Sequence, residues 1–113
     1  MEKQAIGYMK TTKQIKAIRY NGKIVMIKVL FFAQLRESLN CDELTIDLAK
    51  DQRFRHISTL EQLRATLAET DENWQFNLSN GKLLMALNQT IVDGSQTLNS
   101  GDEVAFFPPV TGG

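Results

Sequence analysis

One histidine, His56, and one cysteine, Cys41, are all that this 113-residue chain has of the residues from which most metal and nucleophilic sites are built. A cluster of histidine ligands is excluded, a mixed Cys/His zinc site finds too few donors, and no metal is expected. No internal disulfide can form, which agrees with a reducing compartment. Cys41 sits in the polar stretch Leu39-Asn40-Cys41-Asp42, with no basic neighbour in sequence to lower its pKa, and reads as an idle thiol. His56 reads as a surface residue just ahead of a helix start. Gly81-Lys82 lacks the rest of a phosphate loop, and the carboxylates Asp42, Glu43 and Asp47 show no sign of pairing. No apolar run approaches the ~20 residues that cross a bilayer, and the amino terminus has no signal-peptide pattern. A cytoplasmic protein with no membrane partner is expected.

Excess charge of one sign is also missing, with 13 basic and 13 acidic residues. The balance hides an asymmetry. Residues 1–25 carry Lys3, Lys10, Lys13, Lys16, Arg19 and Lys23 against Glu2, a net +5, so residues 26–113 carry −5. An acidic globule disfavours nucleic acid, whose phosphates need clustered Lys and Arg, and suits a basic protein partner.

The length accommodates one domain, here divided into an amino-terminal extension (1–25), a globular part (26–107) and a tail (108–113). In the extension, Ile15 to Tyr20 and Lys23 to Ile27 flank Asn21-Gly22, a hairpin pattern with a type I′ dipeptide; the alternative is disorder. Ile27 to Phe32 alternates as a first strand, with Ile27, Val29 and Phe31 on one face and Lys28, Leu30 and Phe32 on the other. Gln34 to Asn40 is expected to turn the chain into a second strand carrying Leu44, Ile46 and Leu48. Ser58 to Thr70 is the main helix, with Ser58 and Glu61 spaced as a capping box and Leu60, Leu63 and Leu67 on one stripe. Asp71 caps a shorter helix ending near Leu78. Strands follow at Leu83 to Leu87, around Ile91, and at Glu103 to Phe107, separated by Asn88-Gln89, Asp93-Gly94 and Asn99-Ser100-Gly101-Asp102. Strand, strand, helix, strand, short strand, strand is the order of an α+β, ubiquitin-like β-grasp: a mixed sheet curled around one main helix.

The chain's two prolines, Pro108 and Pro109, stand together after the last strand and stop its ladder, since neither has an N–H to give. Val110, Thr111, Gly112 and Gly113 then make a slim end, the glycines having no Cβ. Extended at roughly 3.3 Å per residue, the six residues after Phe107 reach about 20 Å, enough to enter a partner's active site.

The run Gly101 to Gly113, the opening Met26-Ile27-Lys28-Val29-Leu30-Phe31-Phe32-Ala33-Gln34, and Asn80-Gly81-Lys82-Leu83-Leu84 followed by Asn88-Gln89-Thr90 resemble the small subunits of molybdopterin synthase, a family of ubiquitin-like sulfur carriers. The resemblance spans Met26 to Gly113. It implies a non-catalytic subunit whose reactive group is the Gly113 carboxylate, which agrees with the absence of any catalytic side-chain constellation. Such a carboxylate is a poor electrophile until ATP converts it to an acyl-adenylate; a persulfide sulfur and reduction then leave a thiocarboxylate. By resemblance, an E1-like adenylyltransferase uses the ATP, and no cofactor is bound. The thiocarboxylate supplies sulfur to cyclic pyranopterin monophosphate inside the large subunit, in a heterotetramer of two small and two large subunits. Carriers for thiazole synthesis or tRNA thiolation also end in diglycine, and a ubiquitin-like protein modifier is a further alternative.

Period two also assigns an interface. If Ile27, Val29 and Phe31 face the helix, Phe32 faces away; if Val104 and Phe106 face it, so does Phe107 face away. With Ile91, which matches an apolar position of the family, these residues are expected to form an outward apolar patch that docks the large subunit.

Overall fold

The computed structural model describes residues 19–20, 23–24, 26–79, 81 and 83–108. Two short strands, β1 (Arg19–Tyr20) and β2 (Lys23–Ile24), pair antiparallel in a sheet of their own, Arg19 opposite Ile24 and Tyr20 opposite Lys23. Asn21 and Gly22, which lie between these strands in sequence, and residues 1–18 lie outside the described set. Then come β3 (Met26–Phe31), α1 (Ala33–Leu39), β4 (Glu43–Asp47), a 3-10 turn (Gln52–Phe54), α2 (Leu60–Ala68), α3 (Glu72–Leu78), β5 (Leu84–Leu87), β6 (Thr90–Val92) and β7 (Glu103–Phe107). The later strands form one sheet in the order β4-β3-β7-β5-β6, with β3 and β7 parallel at its centre and the other neighbours antiparallel. With α2 across one face, this is the expected β-grasp.

Alternation in β3 and β7 builds the core. Ile27, Val29 and Phe31 are buried with Val104 and Phe106 of β7 and meet Leu60, Leu63 and Leu67 of α2. Leu78 of α3 and Phe54 of the 3-10 turn close its flanks. Gly101, at φ 92°, turns the chain into β7 in a conformation that a Cβ disfavours, and its N–H donates to the Met26 carbonyl. The start of β7 is thereby tied to the start of β3.

The stretch Gln34 to Asn40, expected as a turn, instead holds most of α1 and the residue that ends it. Leu35 and Leu39, one helical turn apart, are both buried, and Asn40 ends the helix in the left-handed region at φ 54°. The Asn40 N–H donates to Glu37 O and the Cys41 N–H to Arg36 O, the pair of bonds that defines a Schellman cap. The helix lacks a side-chain cap at its start. Its entry is set by Phe32, where the strand has already ended, and by Ala33 at φ 57°. A helix of seven residues with two inward leucines and no starting cap gives little periodic signal.

The capping box of α2 is also displaced by one residue, to Thr59 and Gln62 rather than Ser58 and Glu61. The Gln62 N–H donates to Thr59 Oγ1 at 3.2 Å, and the Thr59 N–H to Gln62 Oε1 at 3.2 Å. Tertiary contacts select this phase. The N–H groups of Leu60 and Glu61, which have no partner within the helix, donate to Gln96 O and Gly94 O at 2.9 Å each. Glu61 pairs with Arg64 instead. In α3, Asp71 caps as expected, accepting from the Trp74 N–H at 3.0 Å.

Candidate functional site

Because β3 and β7 are parallel and in register, Phe31 opposite Phe106, the residues that follow also arrive together. Phe31 and Phe106 stack on the core side, ring centroids 5.9 Å apart. Phe32 and Phe107 stack on the opposite side at 4.9 Å, their rings 9° from parallel. The Phe32 N–H donates to Phe106 O at 3.2 Å, and Phe32 O accepts from the N–H groups of Leu35 and Arg36. Phe32 is thereby held from both sides at the junction of strand and helix. The two outward phenylalanines are half-buried, packed against Leu30, Ala86 and Ala105.

One row crosses the outer sheet face: Leu30 opposite Ala105, Ala105 opposite Ala86, Ala86 opposite Ile91. Paired residues share a face, so Ile91 lies on the face of Phe32 and Phe107, as expected, and is 58% exposed. It is not beside them. Two strand spacings and a two-residue step separate it from Phe107, about 12 Å, and the alanines between leave a flat floor. A salt bridge between Lys28 and Glu103 at 4.0 Å borders this floor toward the start of β3.

Pro108 is half-buried where the chain leaves the sheet. The tail residues Pro109, Val110, Thr111, Gly112 and Gly113 lie outside the described residues. Pro108 also lines a groove of about 530 Å³ between α1 and α3, with Gln34, Leu35, Ser38, Gln75, Phe76, Asn77, Ser79 and Leu83. Phe76, 82% exposed, was not singled out by the sequence pattern, nor was this groove. The spacing of Trp74 and Leu78, one turn apart and directed inward, was the available signal that Phe76 points out.

The side chains set aside from sequence find ordinary surroundings. His56 is exposed. Cys41 Sγ lies 3.6 Å from Glu43 O. Burial pushes its thiol pKa up, the hydrogen bond at Glu43 opposes this, and the charges of Asp42 and Glu43 add to the rise, an environment that disfavours a thiolate. Asp47 Oδ1 accepts from the N–H groups of Ala49 and Lys50 and so caps a turn. Among the described residues no group of three or more His, Cys, Asp or Glu side chains is placed to hold a metal, and no helix is long and apolar enough to cross a membrane.

The sequence pattern of the ThiS family matches residues 29–113. The chain is 50% identical over 88 residues to the molybdopterin synthase sulfur carrier subunit of Escherichia coli (strain K12), across 78% of this chain and the whole of that protein. It is 46% identical over 88 residues to the subunit of the same name from Haemophilus influenzae, with the same coverage of both. Among solved structures, a protein–protein complex of subunits 1 and 2 of the molybdopterin-converting factor of Helicobacter pylori 26695 contains a chain 29% identical, at a TM-score of 0.52 over 78% of this chain and 99% of that one. Small archaeal modifier protein 1 of Haloferax volcanii, 18% identical, matches at a TM-score of 0.57 over 76% of this chain and 99% of its own and speaks to the fold alone. By its fold and by these matches, the chain belongs to the ThiS family, alongside the molybdopterin synthase sulfur carrier subunits.

Proposed function

We propose that this chain is the sulfur carrier subunit of a molybdopterin synthase, with the Gly113 carboxylate as the group that carries sulfur. The observation that carries the reading is identity at half of the aligned positions across the whole length of a named sulfur carrier, with the family match running through Gly113. An E1-like adenylyltransferase joins the Gly113 carboxylate to AMP from ATP, releasing pyrophosphate. A persulfide sulfur then attacks the acyl carbon and AMP leaves; reduction of the resulting sulfur–sulfur bond frees the thiocarboxylate. Within the large subunit, the thiocarboxylate gives its sulfur to cyclic pyranopterin monophosphate, and water restores the carboxylate for another round. This chain contributes a tail and its positioning, and it acts as a cosubstrate. The reading puts the protein in the cytoplasm, in a heterotetramer of two small and two large subunits.

The stacked Phe32–Phe107 pair is the natural anchor for the large subunit, because it lies at the root of the tail on a face with an apolar floor. A half-buried aromatic pair continuous with such a floor is the composition of an interface core.

Incubated with the adenylyltransferase, ATP and a sulfur donor, the intact protein is expected to gain the mass difference between sulfur and oxygen. Lysine-linked conjugates in place of that gain would favour a protein modifier and overturn the carrier reading.

A protein starting at Met26 is expected to fold and to carry sulfur at the full-length rate. The topology supplies the reason: β3 and β7 are parallel, so β1 and β2, in a sheet of their own, precede the end where both strands begin, whereas Pro108 follows the end where both finish. About 17 Å of strand separates them. Loss of sulfur transfer in a folded truncation, measured in single-turnover assays with the large subunit, would refute this.

A further inference from the structure

The apolar surface at the tail root does not stop at Phe107. Phe107 turns to the outer sheet face, while the next residue, Pro108, lines the groove between α1 and α3 on the other side of the chain. Phe76 stands on the lip of that groove at 82% exposure. It is held out by the phase of its helix, since Trp74 meets Phe31 edge-on at 5.4 Å and Leu78 is fully buried. The groove has an apolar floor of Leu35, Leu83 and Pro108, and all its lining residues are uncharged in a domain that carries −5 over residues 26–113. The side-chain amides of Gln34 and Gln75 have no hydrogen-bond partner among the described residues.

Reach decides what covers this surface. From Pro108 to Gly113 the tail spans about 20 Å fully extended. A partner that takes Gly113 into a buried site must therefore press the mouth of its channel against the domain around Pro108. A stable interface of standard size covers about 800 Å² per partner, a disc of roughly 16 Å radius. Centred on the tail root, such a disc takes in both the Phe32–Phe107 pair and the groove.

Resting on the sulfur-carrier reading, we infer that the α1–α3 groove, with Phe76 on its lip, is a second docking surface for the synthase large subunit. It would receive an uncharged, apolar-tipped segment from the mouth of that subunit's channel. Phe76 and the outer-face phenylalanines then grip the partner from two sides of the tail, which fixes the direction in which the tail enters.

The test is titration of the large subunit with the full chain and with two variants, Phe76→Ala and Gln34→Glu. Both positions are exposed, and a glutamate in the first turn of α1 favours the helix, so melting curves should be unchanged. Each variant is expected to weaken binding about tenfold or more, the first by removing an anchor and the second by placing a charge in a neutral groove. Wild-type affinity in both variants overturns the inference. So does a loss confined to the adenylyltransferase, or a Phe76-dependent self-association that leaves large-subunit affinity untouched. Phe107→Ala in the same titration separates the two levels: if it weakens binding while Phe76→Ala does not, the groove alone falls. If the unmodified chain does not bind the large subunit, the sulfur-carrier reading falls with it.

Discussion

Deleting Gly113, or adding one residue after it, is expected to abolish sulfur transfer while leaving the melting curve in place. In the sulfur-carrier reading the reacting atoms are those of the terminal carboxylate, so one residue displaces them by roughly 3.3 Å along an extended tail. A misplacement of 1 Å can already cost about a hundredfold when a reaction depends on held geometry, and three times that distance takes the carboxylate out of reach of both enzymes. An added residue other than glycine also places a Cβ at an end that the two glycines keep slim. The fold should be indifferent, because the sheet ends at Phe107 and its core residues lie between Ile27 and Phe106. Single-turnover conversion with the large subunit, beside a thermal melt, checks both halves. Retained transfer in either variant would remove Gly113 from the mechanism, and a lowered melting temperature would mean that the tail belongs to the folded body.

Phe107→Ala should weaken binding to the large subunit by roughly thirtyfold. Aromatic anchors near the centre of an interface typically cost ~2 kcal/mol or more on truncation, and ~1.4 kcal/mol is a factor of ten. The competing possibility is that Phe107 serves the core, in which case its loss would cost about 3–5 kcal/mol of stability. The structure separates these by position. Phe106, the neighbour on the core side, is completely buried and is the residue whose truncation should cost that much. Phe107 is half-buried, and its principal aromatic contact is the stack with Phe32, worth about 0.5–1.5 kcal/mol beyond area burial. A melt and a titration on the same variant decide the matter: a large drop in affinity with a small drop in stability supports the anchor. Unchanged affinity in a folded protein, or a collapsed fold, counts against it.

The sequence by itself determined the faces of the central strands and the places of the two later helices, which repeat on a short period. Alternation along Ile27 to Phe31 and Val104 to Phe107 assigned the faces correctly; the leucine stripe of α2 and the Asp71 cap of α3 located both helices. Turn residues at Asn88-Gln89 and Asn99 to Asp102 divided the later strands. Each of these is a local property: side chains two, three or four positions apart share a face whatever the rest of the chain does.

Only the tertiary structure decided which of these faces meet. Phe32 and Phe107 lie 75 positions apart in the chain, and their stack depends on the parallel pairing of β3 with β7, which no local pattern encodes. The same pairing order put β5 between β7 and Ile91, which set Ile91 on the shared face but away from the pair. At α2, the carbonyls of Gly94 and Gln96, arriving from a distant loop, chose Thr59 over Ser58 as the cap. α1 formed where sequence suggested only a turn, because burial of Leu35 and Leu39 against the core stabilises a helix too short to persist alone. Its packing beside α3 then made the groove at Pro108. Backbone periodicity is written in neighbouring residues, whereas strand order, helix phase and grooves depend on which distant donors, acceptors and apolar faces come together on folding.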